Sequence, residues 1–141
     1  RPPRSTLFPY TTLFRSIQFC SKVPRSRIPH LLAEADVGLS IIPPKPAYRE
    51  LSPTKLAEYM GCGLAVLASR GIPLQEQFVE ESGGGVLVDW DLEAIAEAIV
   101  QVSSKPDWIR DMQRRAKAYA EQHLRYSSYL AKFLYLFGEG G

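Results

Sequence analysis

Residues 37–68 read VGLSIIPPKPAYRELSPTKLAEYMGCGLAVLA, and the alternation within this stretch decides the fold. Residues 37–42 form a continuous apolar run with β-branched members, a pattern typical of a parallel strand covered on both faces. Two prolines stop that strand, and a polar, proline-rich loop continues to Ser52. A helix is predicted over residues 53–61, because proline is tolerated in a first turn and glycines follow the last apolar position. Residues 64–68 are apolar throughout, so the stretch predicts a strand, a helix and a second buried strand.

The same alternation continues on both sides of this unit. We predict a strand ending at residues 17–19, helices over 24–34, 73–81 and 91–102, a strand over 86–88, and two further helices between 106 and about 137. For two of these helices the predicted apolar faces are Ile28, Leu31, Leu32 and Ala35, and, after an N-cap at Asp91, Leu92, Ile95, Ala96 and Ile99. Short buried strands that alternate with helices predict an α/β fold with a doubly wound parallel sheet. Ligands of such sheets bind at the carboxyl ends of the strands, so the loops over residues 43–52 and 69–73 are predicted to be functional.

The C-terminal helices carry two apolar stripes. Their members are Trp108, Ile109, Met112, Ala116 and Tyr119, and then Tyr126, Tyr129, Leu130, Phe133, Leu134 and Phe137. We expect stripes at this spacing to belong to a core or a domain interface. A membrane-surface role is the less favoured alternative, because few basic residues accompany the second stripe.

Residues 1–16 read RPPRSTLFPYTTLFRS and differ in character from the rest of the chain. This segment resembles, residue for residue, a conceptual translation of a common short-read sequencing adapter. We therefore expect it to be an unstructured artefact, with native sequence starting near Ile17 and the true beginning lost. The whole chain has 17 Lys+Arg against 15 Asp+Glu; without the three arginines of this segment, 14 basic residues stand against 15 acidic ones, a net charge of −1. Net charge therefore gives no argument for a nucleic-acid partner.

The remaining composition favours a cytoplasmic protein without a metal centre. Cys20 and Cys62 are far apart and lack metal-ligand spacing, so we expect buried, reduced thiols. His30 and His123 are isolated, and we expect structural or surface roles for both. No apolar run reaches the roughly 18 to 20 residues that a membrane-spanning helix needs, and no pattern of a secretion signal is present.

The start of the helix after the proline-rich loop has the chemistry of an anion site. Ser52, Pro53 and Thr54 open this helix, whose first backbone N–H groups and positive dipole end attract negative charge. Two hydroxyl groups and the Lys55 ammonium add donors suited to a diphosphate. The alternative is that Ser-Pro-Thr only caps the helix and that Lys55 is a solvated charge.

Two glutamates flank this helix start. Glu58 lies four residues after Thr54, so both residues share one helix face, and its carboxylate could accept hydrogen bonds from sugar hydroxyls. Glu50, on the preceding loop, could reach the same pocket. Alone, Glu58 would be interpreted as a surface carboxylate and Glu50 as a loop charge.

The combination resembles a glycosyltransferase signature. Residues 50–69, ELSPTKLAEYMGCGLAVLAS, contain two glutamates with seven residues between them, followed by a glycine turn and an apolar strand. This is similar to the signature of retaining glycosyltransferases of family 4, and of GT-B enzymes generally. The upstream IPHLLAEADVGLSIIPP and the downstream SGGGVLVDWDLEAIAEAI are also similar to that family, so the resemblance spans residues 17–102. Ala65 departs from it, because family members often have proline there.

The resemblance implies the fold and the organisation of the chain. Residues 17–105 would be a partial C-terminal, Rossmann-like domain of a GT-B fold that binds the nucleotide-sugar donor. Residues 106–141 would be helices that pack on it or on a missing N-terminal, acceptor-binding domain. The protein would be cytoplasmic, with peripheral membrane association only through that missing half.

The resemblance also implies roles for single residues. Glu50 would contact the transferred sugar at the reaction centre, Glu58 the ribose of the donor, and residues 52–55 the diphosphate. The enzyme would be a hexosyltransferase of polysaccharide biosynthesis that uses a nucleotide-diphosphate sugar without metal or cofactor, and this chain alone would be inactive. Two alternatives stay open: a non-catalytic GT-B-like scaffold domain and a GT-B sugar-nucleotide epimerase.

Overall fold

A three-stranded parallel sheet forms the centre of the computed structural model, which describes residues 22–124. The strands are β1 (Val37–Ser40), β2 (Ala65–Ser69) and β3 (Gly85–Val88), in the spatial order β1-β2-β3. Val66 at the start of β2 lies opposite Gly38 in β1 and Gly85 in β3. The predicted parallel α/β arrangement is therefore confirmed.

Five α-helices accompany the strands in the described part of the chain. They are α1 (Ile28–Ala33), α2 (Thr54–Gly61), α3 (Pro73–Ser82), α4 (Leu92–Ser103) and α5 (Pro106–His123), with 3-10 turns at Arg25–Arg27 and Pro46–Tyr48. All correspond to predicted helices, with bounds shifted by a few residues at most, as is usual at helix ends. The strand predicted at residues 17–19, Cys20, and the last helix with its stripe from Tyr126 to Phe137 lie outside the described residues.

Strand β2 is buried over its whole length because helices cover both of its faces. On one face Val66 and Ala68 pack against α2, α3 and α5, in a core of Leu56, Met60, Val66, Ala68, Phe78, Val79, Ala116 and Ala120. On the other face Leu67 packs with Ala98 of α4. This two-sided cover is the doubly wound layout. The stripe predicted on α5 is confirmed, since Met112 and Ala116 are buried and its other members are half-buried.

The prediction for α4 was wrong about the buried face. Ala98 and Val102 are buried and Ile95 is half-buried, whereas Leu92 is 81% exposed and Ile99 is 43% exposed. The helix is apolar on most of its circumference, so periodicity alone does not fix its rotation about its axis. Ala98 packs with Leu67 and Val88 of the sheet, and Val102 packs with Ala65 and with Met112 of α5, so contacts with other elements determine the rotation. The Asp91 N-cap is confirmed, because its carboxylate accepts a hydrogen bond from the Ala94 N–H at 3.0 Å.

Three smaller expectations also need correction. Strand β1 is not covered on both faces, because Leu39 is 49% exposed and α4 packs mainly on β3. Ala35 is exposed because α1 ends before it, at Ala33. Cys62 is an exposed free thiol and not a buried one, because it is the residue that terminates α2. His30 and His123 are exposed, as expected for surface residues.

Candidate functional site

The two loops predicted to be functional lie side by side at one edge of the sheet. Because all three strands are parallel, their carboxyl ends meet at this edge. The loops touch where Gly71, with φ +89°, approaches Pro44. A Cβ atom on Gly71 would lie 2.4 Å from the Cβ of Pro44, so only glycine fits without displacing one of the loops.

Helix α2 begins at this edge and is held in place by the burial of its inner face in the core. Leu56 and Met60 on its inner face are fully buried in the core, at 0% exposure. Lys55 and Glu58 lie on the exposed side of the helix, and Thr54 is exposed at its start. Burial of the inner face therefore fixes the direction in which the exposed residues project.

The N-terminus of α2 carries no side-chain cap, which differs from the alternative that Ser52 or Thr54 caps it. Pro53 occupies the N-cap position and is buried, while Ser52 and Thr54 are exposed. The chain turns tightly here, with the Thr54 N–H donating to the Ser52 carbonyl at 2.9 Å. The next two N–H groups, those of Lys55 and Leu56, have no acceptor inside the helix, because the intrahelical pattern starts with Ala57 N–H donating to the Pro53 carbonyl, so this end keeps donor capacity for an anion.

The two glutamates lie on either side of this helix start. Glu50 is exposed in the turn that follows the 3-10 helix Pro46–Tyr48, where the Leu51 N–H donates to the Tyr48 carbonyl at 3.2 Å. Glu58 is exposed one turn inside α2. The six residues predicted for the site are thus on one continuous segment at the carboxyl edge, and five of them are exposed, Pro53 being the buried one.

A buried polar cluster that was not predicted from the sequence lies directly beneath the two loops. It consists of Ser40, Ser69 and Gln75, with exposures of 4%, 0% and 0%. The Ser40 hydroxyl donates to Gln75 Oε1 at 2.6 Å, and Gln75 Nε2 donates to the Ser69 carbonyl at 2.7 Å. A signal for it does exist in the sequence, since Gln75 occupies an inward position of α3 together with Phe78 and Val79.

The Ser69 side chain continues this cluster into the loop after β1. Its Oγ accepts a hydrogen bond from the Ile42 N–H at 2.8 Å and donates to the Ile42 carbonyl at 2.6 Å. In the loop after β2, the Gly71 N–H donates to Glu76 Oε1 at 2.9 Å. Backbone groups of both loops are therefore held by side chains.

An Asp-x-Asp triplet follows β3, formed by Asp89, Trp90 and Asp91. Two carboxylates at this spacing could hold a divalent cation, and the metal-free prediction was wrong in its premise that the chain has no Asp-x-Asp pair. Both carboxylates have partners within the chain. Asp89 Oδ1 lies 3.8 Å from Arg70 Nε in an exposed ion pair, and Asp91 caps α4. Between residues 22 and 124 no group of three potential metal ligands occurs. A metal-free reaction stays a prediction.

A groove of about 340 Å³ lies between α3 and α5, away from the loops. Its lining includes Glu81, Arg115, Tyr119 and His123. The Tyr119 hydroxyl donates to Glu81, and this hydrogen bond, followed by that from Gln77, lowers the pKa of the Glu81 carboxyl. The groove begins where α3 ends, at the amino edge of the sheet, so it is separate from the predicted donor site.

The described residues contain no helix that is both long enough and apolar enough to cross a membrane.

Comparison with solved structures defines the class of fold. The chain is similar to sucrose-phosphate synthase from Thermosynechococcus elongatus, with a TM-score of 0.74 and 21% sequence identity. The similarity covers 96% of this chain and 33% of that one, so the chain spans about a third of the length of that structure. The fold is therefore that of a GT-B glycosyltransferase domain, as the resemblance implied.

Comparison with protein families gives the particular group. Residues 12–123 match the family described as Glycosyl transferases group 1, which is more than half of the chain. The chain belongs to this family. No curated protein matches the chain.

Proposed function

We propose that this chain is the donor-binding part of a retaining hexosyltransferase that uses a nucleoside-diphosphate sugar. The observation that carries the proposal is the N-terminus of α2, which lies at the carboxyl edge of a parallel sheet and has no side-chain cap. Membership in a glycosyltransferase family supports a nucleoside-diphosphate sugar as the anion that this helix start would bind. The pair Glu50 and Glu58 supports retention, because its spacing is similar to that of retaining enzymes.

The chemistry assigned to this site is stabilisation of the leaving group. During transfer, the bond between the sugar's anomeric carbon and the diphosphate oxygen breaks, and a bond from that carbon to the acceptor hydroxyl oxygen forms. The nucleoside diphosphate leaves with the bonding electron pair, and the proton of the acceptor hydroxyl passes to the departing diphosphate oxygen. Donors already aimed at the developing negative charge lower the barrier, so the first N–H groups of α2 and the Lys55 ammonium would act on the diphosphate.

The other residues of the segment would orient the donor. Glu58 would accept hydrogen bonds from the ribose hydroxyls, and Glu50 would contact the transferred sugar. The hydroxyls of Ser52 and Thr54 would donate to phosphate oxygens. Pro53 would keep the helix start in place, because it is buried beneath these exposed groups. The acceptor would be bound by another domain, so we expect this chain to bind donor without transferring sugar, and to need no metal.

The proposal is tested by titration calorimetry of the 141-residue chain with UDP, GDP and ADP in metal-free buffer. We expect one of them to bind, and Glu58→Gln to weaken that affinity on the order of 10- to 100-fold, the effect of losing hydrogen bonds to a charged acceptor. Glu80→Gln is the matched control, because Glu80 is exposed on α3, away from the loops.

The possible outcomes separate the proposal from its alternatives. Equal affinities for wild type and Glu58→Gln would remove Glu58 from the site. Absence of binding to all three nucleotides would favour a scaffold domain. A separate incubation with the matching nucleotide sugar, without an acceptor, tests the remaining alternative, because conversion to an epimeric nucleotide sugar would favour an epimerase.

A further inference from the structure

Among residues 22–124, Gln75 has the only buried side-chain amide. Gln75 lies on the buried face of α3 and has 0% exposure, although Phe78 and Val79 on the same face pack in an apolar core. Burial of an amide costs free energy unless its hydrogen bonds are satisfied. Both ends of the Gln75 amide are bonded, to the Ser40 hydroxyl and to the Ser69 carbonyl. A satisfied buried network of this kind specifies one arrangement of the segments that it joins.

The joined segments are the ends of the two strands that carry the functional loops. Ser40 is the last residue of β1, and Ser69 is the last residue of β2. Ser69 Oγ then bonds both backbone groups of Ile42, at 2.8 Å and 2.6 Å, just after β1 ends. A single hydroxyl therefore fixes the first turn of the loop that leads to Glu50.

The far end of the same loop is fixed independently. It runs into α2, whose Leu56 and Met60 are fully buried. The loop is thus held at one end by hydrogen bonds to Ser69 and at the other by the core. Gln75 Nε2 lies 2.7 Å from the Ser69 carbonyl oxygen and 3.4 Å from its Oγ, so the amide contacts the residue that bonds the first turn of this loop.

We infer that Gln75 and Ser69 are positioning residues for the donor site, holding the loop over residues 41–53 in the conformation that binds a nucleoside diphosphate. This inference rests on the proposed function. Neither side chain reaches the surface, so both act through the loop.

The test uses the whole chain and two measurements. Hydrogen exchange reports the order of the loop over residues 41–53 without ligand, and calorimetry reports the affinity for UDP, GDP and ADP. We expect Gln75→Leu and Ser69→Ala to raise amide exchange in this loop. We also expect both variants to weaken nucleotide binding on the order of tenfold, as loss of about one net hydrogen bond implies. Gln77→Leu is the matched control, because Gln77 lies on the exposed side of the same helix and bonds only Glu81 among the described residues.

A third variant separates positioning from mere stability. Gln75→Glu keeps the size of the side chain and an acceptor for Ser40 but loses the donor to the Ser69 carbonyl. Burial raises the pKa of the introduced carboxyl, so acidification restores a donor at this position. We expect its nucleotide affinity, relative to wild type at each pH, to recover between about pH 8 and pH 5.5. A residue needed only for stability would change the melting temperature without this pH profile in the affinity of the folded protein.

The outcomes of the inference and of the proposed function are distinguishable. Wild-type loop exchange and wild-type affinity in folded Gln75→Leu would overturn the inference, even if the wild type binds nucleotide well. If the wild type binds none of the three nucleotides, the proposed function fails and the donor-site role of Gln75 fails with it. The exchange data then still show whether Gln75 orders the loop.

Discussion

Replacing Gly38 by alanine should force β1 and α2 apart. A Cβ atom on Gly38 would lie 2.4 Å from the Cγ and Cδ2 atoms of Tyr59, and 3.0 Å from its Cβ. These atoms are at the base of the Tyr59 side chain, so rotation of the ring cannot remove the overlap. Overpacking of this kind costs about 1 to 3 kcal/mol. Gly38 does not have a positive φ, so alanine adds no backbone strain and gains about 0.4 to 1 kcal/mol from the less flexible unfolded chain.

The mid-range values of this cost and this gain, about 2 and about 0.7 kcal/mol, leave for Gly38→Ala an expected loss of about 1.3 kcal/mol in the free energy of unfolding, measured by urea denaturation. Gly61→Ala is the matched control, because Gly61 ends α2 and a Cβ there meets no atom within 4 Å. We expect that variant to be unchanged or slightly more stable, since alanine is the better helix former.

A double-mutant cycle identifies the cause of the loss. If the overlap with Tyr59 is responsible, Gly38→Ala combined with Tyr59→Ala should be less destabilised than the sum of the single variants, by about 1 kcal/mol or more. Additive effects would refute the steric reasoning. So would a Gly38→Ala variant whose stability is within about 0.5 kcal/mol of the Gly61→Ala control.

Two further predictions concern the N-cap of α4, Asp91, and the carboxylate of Glu81 near the end of α3. Asp91→Ala should lower the free energy of unfolding by about 1 kcal/mol, because it leaves the Ala94 N–H without its cap. Asp91→Asn should keep most of that stability, since its side-chain oxygen can still accept this hydrogen bond. Equal losses for the two variants in urea denaturation would contradict the role of Asp91 as a cap. The pKa of Glu81 is lowered by hydrogen bonds from Tyr119 and Gln77, so its contribution to stability is present above the unfolded pKa and is lost as pH falls through the folded one. Thermal melts between about pH 6 and pH 3 should therefore decline less steeply for Glu81→Gln than for wild type, and identical slopes would remove Glu81 from the acid response.

The elements of the fold were predictable because their signals are local. Apolar runs bounded by prolines or glycines gave β1 and β2, and glycine at position 83 ends α3 in the left-handed conformation that favours this residue. The Asp91 cap also depends only on residues within one helical turn. Such features are determined by the chain itself and need no knowledge of what lies opposite.

Features that depend on neighbours were not predictable in this way. The rotation of α4 depends on which of its apolar residues pack on the sheet and on α5, and these residues are Ala98 and Val102. The Leu39 side chain is about half exposed, and α4, the helix on that side of the sheet, packs mainly on β3. Both outcomes are set by packing between elements, on which a single helical or strand pattern carries no information.

The candidate site also combines features that are local in the sequence with features that depend on contacts between elements. The exposed residues from Glu50 to Glu58 lie on one segment, so their spacing in the sequence already grouped them. Ser40 and Gln75 are 35 positions apart, and only the parallel register, which sets Ser40 opposite Ala68, brings β1 beside the serine that ends β2. A lone glutamine in an apolar helix face looks unfavourable until its two partners are known. A motif in the sequence can therefore propose residues for a ligand site, and the inward position of Gln75 can be predicted from the pattern of α3, whereas the partners of Gln75 are identified only when the sheet is assembled.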